Sequence, residues 1–173
     1  MHTLPNIALY GASGSGKSVI ARHFVERYGY QRLSPGDICR QITRLAFGTE
    51  GKTTLNKVND ALRSIDHFVW INACLRQAKE DVPIVFDSMR FLPDWEFFRG
   101  KEYLLLKVEA PLGLRSQRLL ARGQEFVLGV DDSHAGETEL EGQPFDKVVV
   151  NMFADNAELT ASIDDWMVSL AAG

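Results

Sequence analysis

The chain is 173 residues long, enough for one domain that buries roughly two-thirds of the surface its unfolded form would expose. Its apolar and charged fractions are ordinary for a globular protein, and its net charge of −4 excludes a globally basic nucleic-acid binder while leaving room for a local basic patch. No apolar run approaches membrane-spanning length and no leader-like segment precedes the first strand, so a cytoplasmic chain is expected. Cys39 and Cys74 lie far apart within helical patterns, which suits buried apolar residues better than a disulfide or a metal pair.

Asn6–Tyr10 reads as a short buried strand. It runs into Gly11-Ala12-Ser13-Gly14-Ser15-Gly16-Lys17-Ser18, which fits G-x-x-x-x-G-K-[ST] without a gap. Val19, Ile20, Phe24 and Tyr28 then recur at helical spacing, so a helix opens near Lys17 and closes at Gly29. Strand, glycine-rich turn and helix start together make a cradle for phosphates: backbone N–H groups point inward and the helix N-terminus adds partial positive charge. Gly11, Ser13, Gly14, Ser15, Gly16, Lys17 and Ser18 are therefore the candidate nucleotide contacts. Lys17 would reach the β- and γ-phosphates of ATP, and the Ser18 hydroxyl would sit on Mg2+.

Tyr30–Leu33 is a second strand, and Ser34-Pro35-Gly36-Asp37 holds every common helix-start signal for a helix that ends at Gly48. Leu55, Val58, Leu62, Ile65 and Val69 form an apolar stripe that predicts one long helix from about Leu55 to Glu80. Pro83–Asp87 is a strand without polar alternation, as at the buried centre of a parallel sheet. A short helix over Asp94–Arg99, a strand over Tyr103–Val108 and a helix from Pro111 to Arg122 follow. The stretch 124–143 has no clear period, Lys147–Val150 is a fifth strand, and Ala157–Leu170 a last amphipathic helix. Strands alternating with helices predict an α/β fold: three layers, α/β/α, around a five-stranded parallel sheet. All 173 residues form a single domain, with a helical region near 34–80 and an irregular loop or lid near 123–143.

Ligands of a parallel sheet gather at the C-terminal ends of its strands. That rule selects Ser34 to Arg40 after the second strand, Asp87 to Arg90 after the third and Asn151 after the fifth. Arg40 lies one turn beyond Asp37 and can clamp an acceptor phosphate with two parallel hydrogen bonds, or simply pair with that aspartate. Asp87 stands where an acid near magnesium belongs, or caps the following turn. Arg90 would hold the transferred group, or lie solvated on the surface. Arg115, Arg118 and Arg122 share one helix face, either solvated or covering base and phosphates when a lid closes.

These residues resemble the nucleoside monophosphate kinase group of P-loop proteins: adenylate, thymidylate and dephospho-coenzyme A kinases. Ser34-Pro35-Gly36-Asp37-Ile38-Cys39-Arg40 is similar to the S-[TP]-G-D-x-x-R that opens their acceptor-binding helix. Phe86-Asp87-Ser88-Met89-Arg90 resembles their D-G-x-x-R or D-G-x-R element, with Ser88 in place of the usual glycine. Arg118-Leu119-Leu120-Ala121-Arg122 is similar to the R-x-x-x-R at the lid entrance. Glu137–Leu140 and Phe145–Asn151 resemble the tail of phage deoxynucleoside monophosphate kinases and dephospho-coenzyme A kinases. The resemblance implies that Ser34, Gly36, Asp37, Arg40, Asp87 and Arg90 bind the acceptor. It further implies that Ser18 and Asp87 serve the metal, and that Arg118 and Asn151 lie near the nucleotide base. After Arg122 the chain is acidic (Asp131, Asp132, Glu137, Glu139, Glu141) and lacks the arginines of a full lid, so charge must come from elsewhere, Arg115 or a partner.

The expected reaction moves the γ-phosphoryl group of ATP, with Mg2+, onto a nucleoside or deoxynucleoside monophosphate. Lys17, Arg90, Arg118 and Arg122 would neutralise the transferring charge. A second possibility keeps the fold and accepts a hydroxyl, as the phage 5-hydroxymethyluracil DNA kinases do, with Asp37 as the base. DNA would be a partner only in that case, helped by Arg22/Arg27/Arg32 and Arg40/Arg44. A third is a nucleotide-triggered switch without an acceptor. Oligomeric state and the base or sugar accepted are not legible in the chain.

Overall fold

The computed structural model describes residues 4–123, 138–153 and 155–172. Five strands, β1 (Ile7–Tyr10), β2 (Gln31–Leu33), β3 (Ile84–Asp87), β4 (Leu104–Glu109) and β5 (Lys147–Val150), form one sheet in the order β2-β3-β1-β4-β5. Every pairing is parallel, with Leu9 opposite Asp87 and Glu109 opposite Val150 in register. Burial follows position in that order. The central strands β1 and β3 are buried at every residue, whereas edge strand β5 buries Val149 and leaves Val148 and Val150 half exposed.

Helix α1 (Lys17–Tyr28) and the last helix, α7 (Asn156–Ala172), cover one face of the sheet. Their Ile20, Phe24, Leu159, Ile163 and Trp166 pack on Ile7, Leu9, Val85, Leu106 and Val108. Helix α5 (Leu92–Gly100) covers the other face, where Phe98 lies among Ala8, Tyr10, Phe86 and Leu105. The three-layer α/β/α architecture therefore follows from the alternating strands and helices, as expected. Helix α6 (Leu112–Ala121) follows β4.

The helical region after β2 differs from expectation in one respect. Helix α2 (Pro35–Phe47) stops at Gly48, but the predicted long helix is two pieces, α3 (Lys52–Ile65) and α4 (Val69–Leu75). Asp66 breaks it by adopting an extended conformation, φ −143° and ψ 117°. Its carboxylate accepts the Phe68 N–H at 2.9 Å and the Asn72 amide at 3.1 Å, a side-chain alternative to helical hydrogen bonds. Ile65, just before the break, is 81 % exposed and leaves the stripe, while Leu55, Val58 and Leu62 before it and Val69 and Trp70 after it still pack in one cluster, so the apolar period continues across the break. A satellite core of Cys39, Val58 and Trp70 holds α2, α3 and α4 together.

Candidate functional site

β1 leads into the centre of the C-terminal edge, between β3 and β4, where the strand order reverses and a crevice opens. The loop 11–16 fills that point. Gly14 and Gly16 have φ of 80° and 112°, a left-handed region that glycine occupies at no steric cost. Space demands glycine as well: a Cβ on Gly11 would stand 2.2 Å from the Val108 carbonyl oxygen, and one on Gly16 2.5 Å from Asn151 Nδ2. The loop is thus pressed between β4, α6 and the end of β5. Gly16 caps helix α1 without a side-chain hydrogen bond, so no capping side chain stands at the helix N-terminus beside the loop.

Lys17 folds back over this loop, its ammonium donating to the carbonyl oxygens of Gly11 and, at 3.0 Å, Ala12. Two arginines of α6 hold the loop from the other side. Arg115 donates to Ser13 O and Arg118 to Gly14 O, both at 3.3 Å. Arg118 also donates to Asn151 Oδ1 at 3.3 Å and to Phe153 O at 3.2 Å. Buried Asn151 donates from Nδ2 to Ser15 O at 2.7 Å. Arg118 and Asn151, expected near the base, are in this structure part of the loop's scaffold. Ser15 is fully buried, and its hydroxyl has no partner among the described residues. Arg122 ends α6 and is exposed.

At the ends of β2 and β3 a second corner is built from charge. Ser34 caps α2 by accepting the Asp37 N–H at 3.4 Å, and the acid in the helix's first turn meets its positive end. Asp37 Oδ1 accepts a hydrogen bond from Arg40, whose guanidinium lies over Gly36, 3.5 Å from where a Cβ would stand. Asp37 Oδ2 accepts from Arg32 at 2.7 Å. Arg32 reaches further, donating from Nε at 2.7 Å and from its terminal nitrogen at 2.6 Å to Asp87 Oδ2. Arg32 therefore bridges the buried carboxylate at the end of β3 and the half-exposed one on α2. Burial pushes the Asp37 carboxyl up, but the Arg40 and Arg32 hydrogen bonds and charges outweigh it and hold Asp37 below the ordinary carboxylate value. Burial likewise opposes the charged form of Arg32, yet Asp87 and Asp37 more than offset it, and Arg32 keeps its proton more firmly than usual.

The turn after β3 carries a local cost. Ser88 adopts φ +95°, where a side chain is strained, and Met89 N–H donates back to Leu9 O at 2.9 Å. This is the position where the resembled kinases have glycine, a residue that takes a positive φ without strain. Arg90 follows, half buried, with its N–H on Asp94 Oδ2 at 3.0 Å.

Arg32 stood out in the sequence only as one member of a basic cluster. The signal that could have found it is a cation inside a three-residue strand, two positions before Ser34, where an apolar residue is the norm. Most of the expected lid, residues 124–137, lies outside the described residues. Of its acidic residues, Glu139 has a structural use: its carboxylate accepts the Leu92 N–H at the start of α5, 2.9 Å away. The charge set suits magnesium bound with phosphates, because that ion needs one or two protein oxygens and takes the rest from substrate and water. The hydroxyl of Ser18 and the carboxylate of Asp87 are those candidates. Among the described residues no three His, Cys, Asp or Glu side chains gather into a metal cluster. No helix there is long and apolar enough to cross a membrane.

No protein-family model matches the sequence. An adenylate kinase from Phocaeicola vulgatus is 30 % identical over 131 residues, covering 69 % of this chain and 68 % of its own. A gluconokinase from Sinorhizobium meliloti superposes with a TM-score of 0.66 at 18 % identity, covering 99 % of this chain and 96 % of that one. A shikimate kinase from Acinetobacter baumannii, in complex with shikimate, gives 0.62 at 20 % identity over 96 % and 94 %. At that identity the two structures speak for the fold alone.

Proposed function

The chain belongs to the adenylate kinase family of P-loop kinases, and on that premise we propose that it transfers the γ-phosphoryl group of ATP to a nucleoside or deoxynucleoside monophosphate. One observation carries the choice of acceptor. Asp37, the carboxylate that a hydroxyl acceptor would need as its base, is held between Arg32 and Arg40 below its ordinary pKa. A carboxylate so stabilised as its anion is a poor general base at neutral pH. An acceptor that brings its own anionic oxygen, as a phosphate monoester does, needs no such base.

Catalysis is then positioning and charge neutralisation. The loop N–H groups and Lys17 hold the triphosphate, and Lys17 exchanges its carbonyl contacts for phosphate oxygens. Arg40 binds the acceptor phosphate at the start of α2, across the crevice from the loop. Arg90 bridges toward the transferring group. Arg118 and Arg122 add charge from α6, with Asn151 beside them near the base. Ser18 and Asp87 would hold magnesium, which would supply positive charge to offset that of the phosphates.

The test is transfer from γ-labelled ATP with Mg2+ to a panel of acceptors. It would hold ribo- and deoxyribonucleoside monophosphates, dephospho-coenzyme A, and duplex DNA with and without 5-hydroxymethyluracil. Label on a monophosphate is the expected outcome and names the base. Label on the modified DNA alone would overturn the assignment and return Asp37 to the role of base. Label released only as inorganic phosphate would leave a nucleotide switch.

A further inference from the structure

Arg63, on the last turn of α3, forms a two-point ion pair with Asp94 on the first turn of α5. Its two terminal nitrogens donate to the two carboxylate oxygens, each at 3.3 Å, and both side chains are largely buried, 13 % and 3 % exposed. One of those nitrogens also donates to His67 O at the α3–α4 corner, 3.0 Å away, and the guanidinium lies 4.4 Å over the Phe91 ring. Asp94 Oδ2 meanwhile accepts the N–H groups of Arg90 at 3.0 Å and of Phe91 at 3.2 Å. The pair therefore joins the acceptor-side helices to the backbone of the residue that follows the strained Ser88 turn. Arg63 Nε is buried with no acceptor among the described residues, a cost set against these contacts.

We propose that Arg63 is a positioning residue for phosphoryl transfer: through Asp94 it fixes the Arg90 backbone in register with α3, so that movement of the acceptor helices and placement of Arg90 are one event. The proposal rests on the acceptor side of the functional assignment, in which Arg90 meets the acceptor or the transferring group. Neither Arg63 nor Asp94 needs to touch substrate. A pair that merely tied helices together would affect stability and leave the balance between donor and acceptor binding unchanged.

The test compares the full chain with Arg63→Lys, Arg63→Met and the double variants Arg63→Met/Asp94→Leu and Arg63→Met/Asp94→Asn. Removing one partner alone strands a buried charge and can unfold the chain, whereas replacing both by apolar groups of similar volume is often tolerated. Two readouts are taken: amide exchange of Arg90 and Phe91 by NMR, and steady-state constants for ATP and for the monophosphate accepted. The Asp94→Leu double variant is expected to lose protection at both amides and raise the acceptor KM about tenfold, with the ATP KM within about twofold. The Asp94→Asn double variant retains a cap oxygen and falls between, and Arg63→Lys recovers part of the acceptor KM. A folded Asp94→Leu double variant with native amide protection and native acceptor KM would overturn the proposal. So would a parallel rise in both KM values. A wild-type chain that phosphorylates no monophosphate would defeat the functional assignment instead, and the exchange readout would still decide whether Arg63 governs the Arg90 turn.

Discussion

The two sides of the crevice are built from different materials. On the proposed donor side recognition would fall to the backbone: glycines with left-handed φ curl the loop, and its walls are carbonyls, Asn151 and two arginines that hold the loop from outside. On the proposed acceptor side the backbone is ordinary helix and strand, and recognition would fall to a chain of charges, Arg40–Asp37–Arg32–Asp87, with Arg63–Asp94 as a further pair. A backbone device tolerates almost no substitution but is complete within a few consecutive residues. A charge network can be retuned one residue at a time, which suits the half of a kinase that must choose its acceptor.

That difference orders the expected effects of substitution. Lys17→Ala removes the ammonium that the loop holds beside its cradle, and turnover with every acceptor should fall by about a thousandfold or more. Radiolabel transfer measures it, and near-native turnover would remove the phosphate loop from the mechanism. Arg32→Met strikes the acceptor side at its middle. It leaves Asp87 buried and unpaired, so unfolding in urea should show a loss of about 3 kcal/mol, at the low end for a broken buried pair because Arg32 is itself a third exposed. An unchanged midpoint would mean that Asp87 is solvated or partnered otherwise.

The same contrast explains how much could be seen in the sequence. The phosphate loop is contiguous, and its spacing, its glycines and the following lysine state the geometry outright. The sheet was legible too, because Ile84-Val85-Phe86 and Ile7-Ala8-Leu9 are apolar on both sides, as central parallel strands are. The acceptor side was legible only where its pairs are local, as with Asp37 and Arg40 three residues apart. Arg32 and Asp87 are separated by 55 residues, and Arg63 and Asp94 by 31, so no local spacing announces either pair. The break at Asp66 was hidden for a related reason. The apolar period runs straight through it, and only the competing hydrogen bonds of the aspartate side chain end the helix.

A smaller effect sharpens the assignment of Arg40. Arg40→Ala should raise the acceptor KM by about tenfold, roughly 1.4 kcal/mol, and leave the ATP KM unchanged. It should also move the acid limb of acceptor kcat/KM. Asp37 is held below its ordinary value, so its ion pairs are intact above the usual carboxylate range and lost as pH falls through the depressed value. Without Arg40 that folded-state pKa rises and the loss begins at higher pH. An acid limb that stays in place would show that Asp37 charge is irrelevant to acceptor binding.

The smallest expected effect lies where the two sides meet, at the turn after β3. Ser88→Gly relieves a φ of +95°, worth about 1 kcal/mol for a residue with a Cβ. Glycine also enlarges the conformational freedom of the unfolded chain, which costs about 0.5–1 kcal/mol. The two nearly cancel, so the thermal midpoint should rise by no more than about 2 °C for a domain of this size. Activity is the more telling measurement. If strain at Ser88 only preserves a shape, the glycine variant keeps the acceptor KM. A clear rise would mean that the side chain itself serves the acceptor corner, and that this turn belongs with the charge network and not with the backbone device beside it.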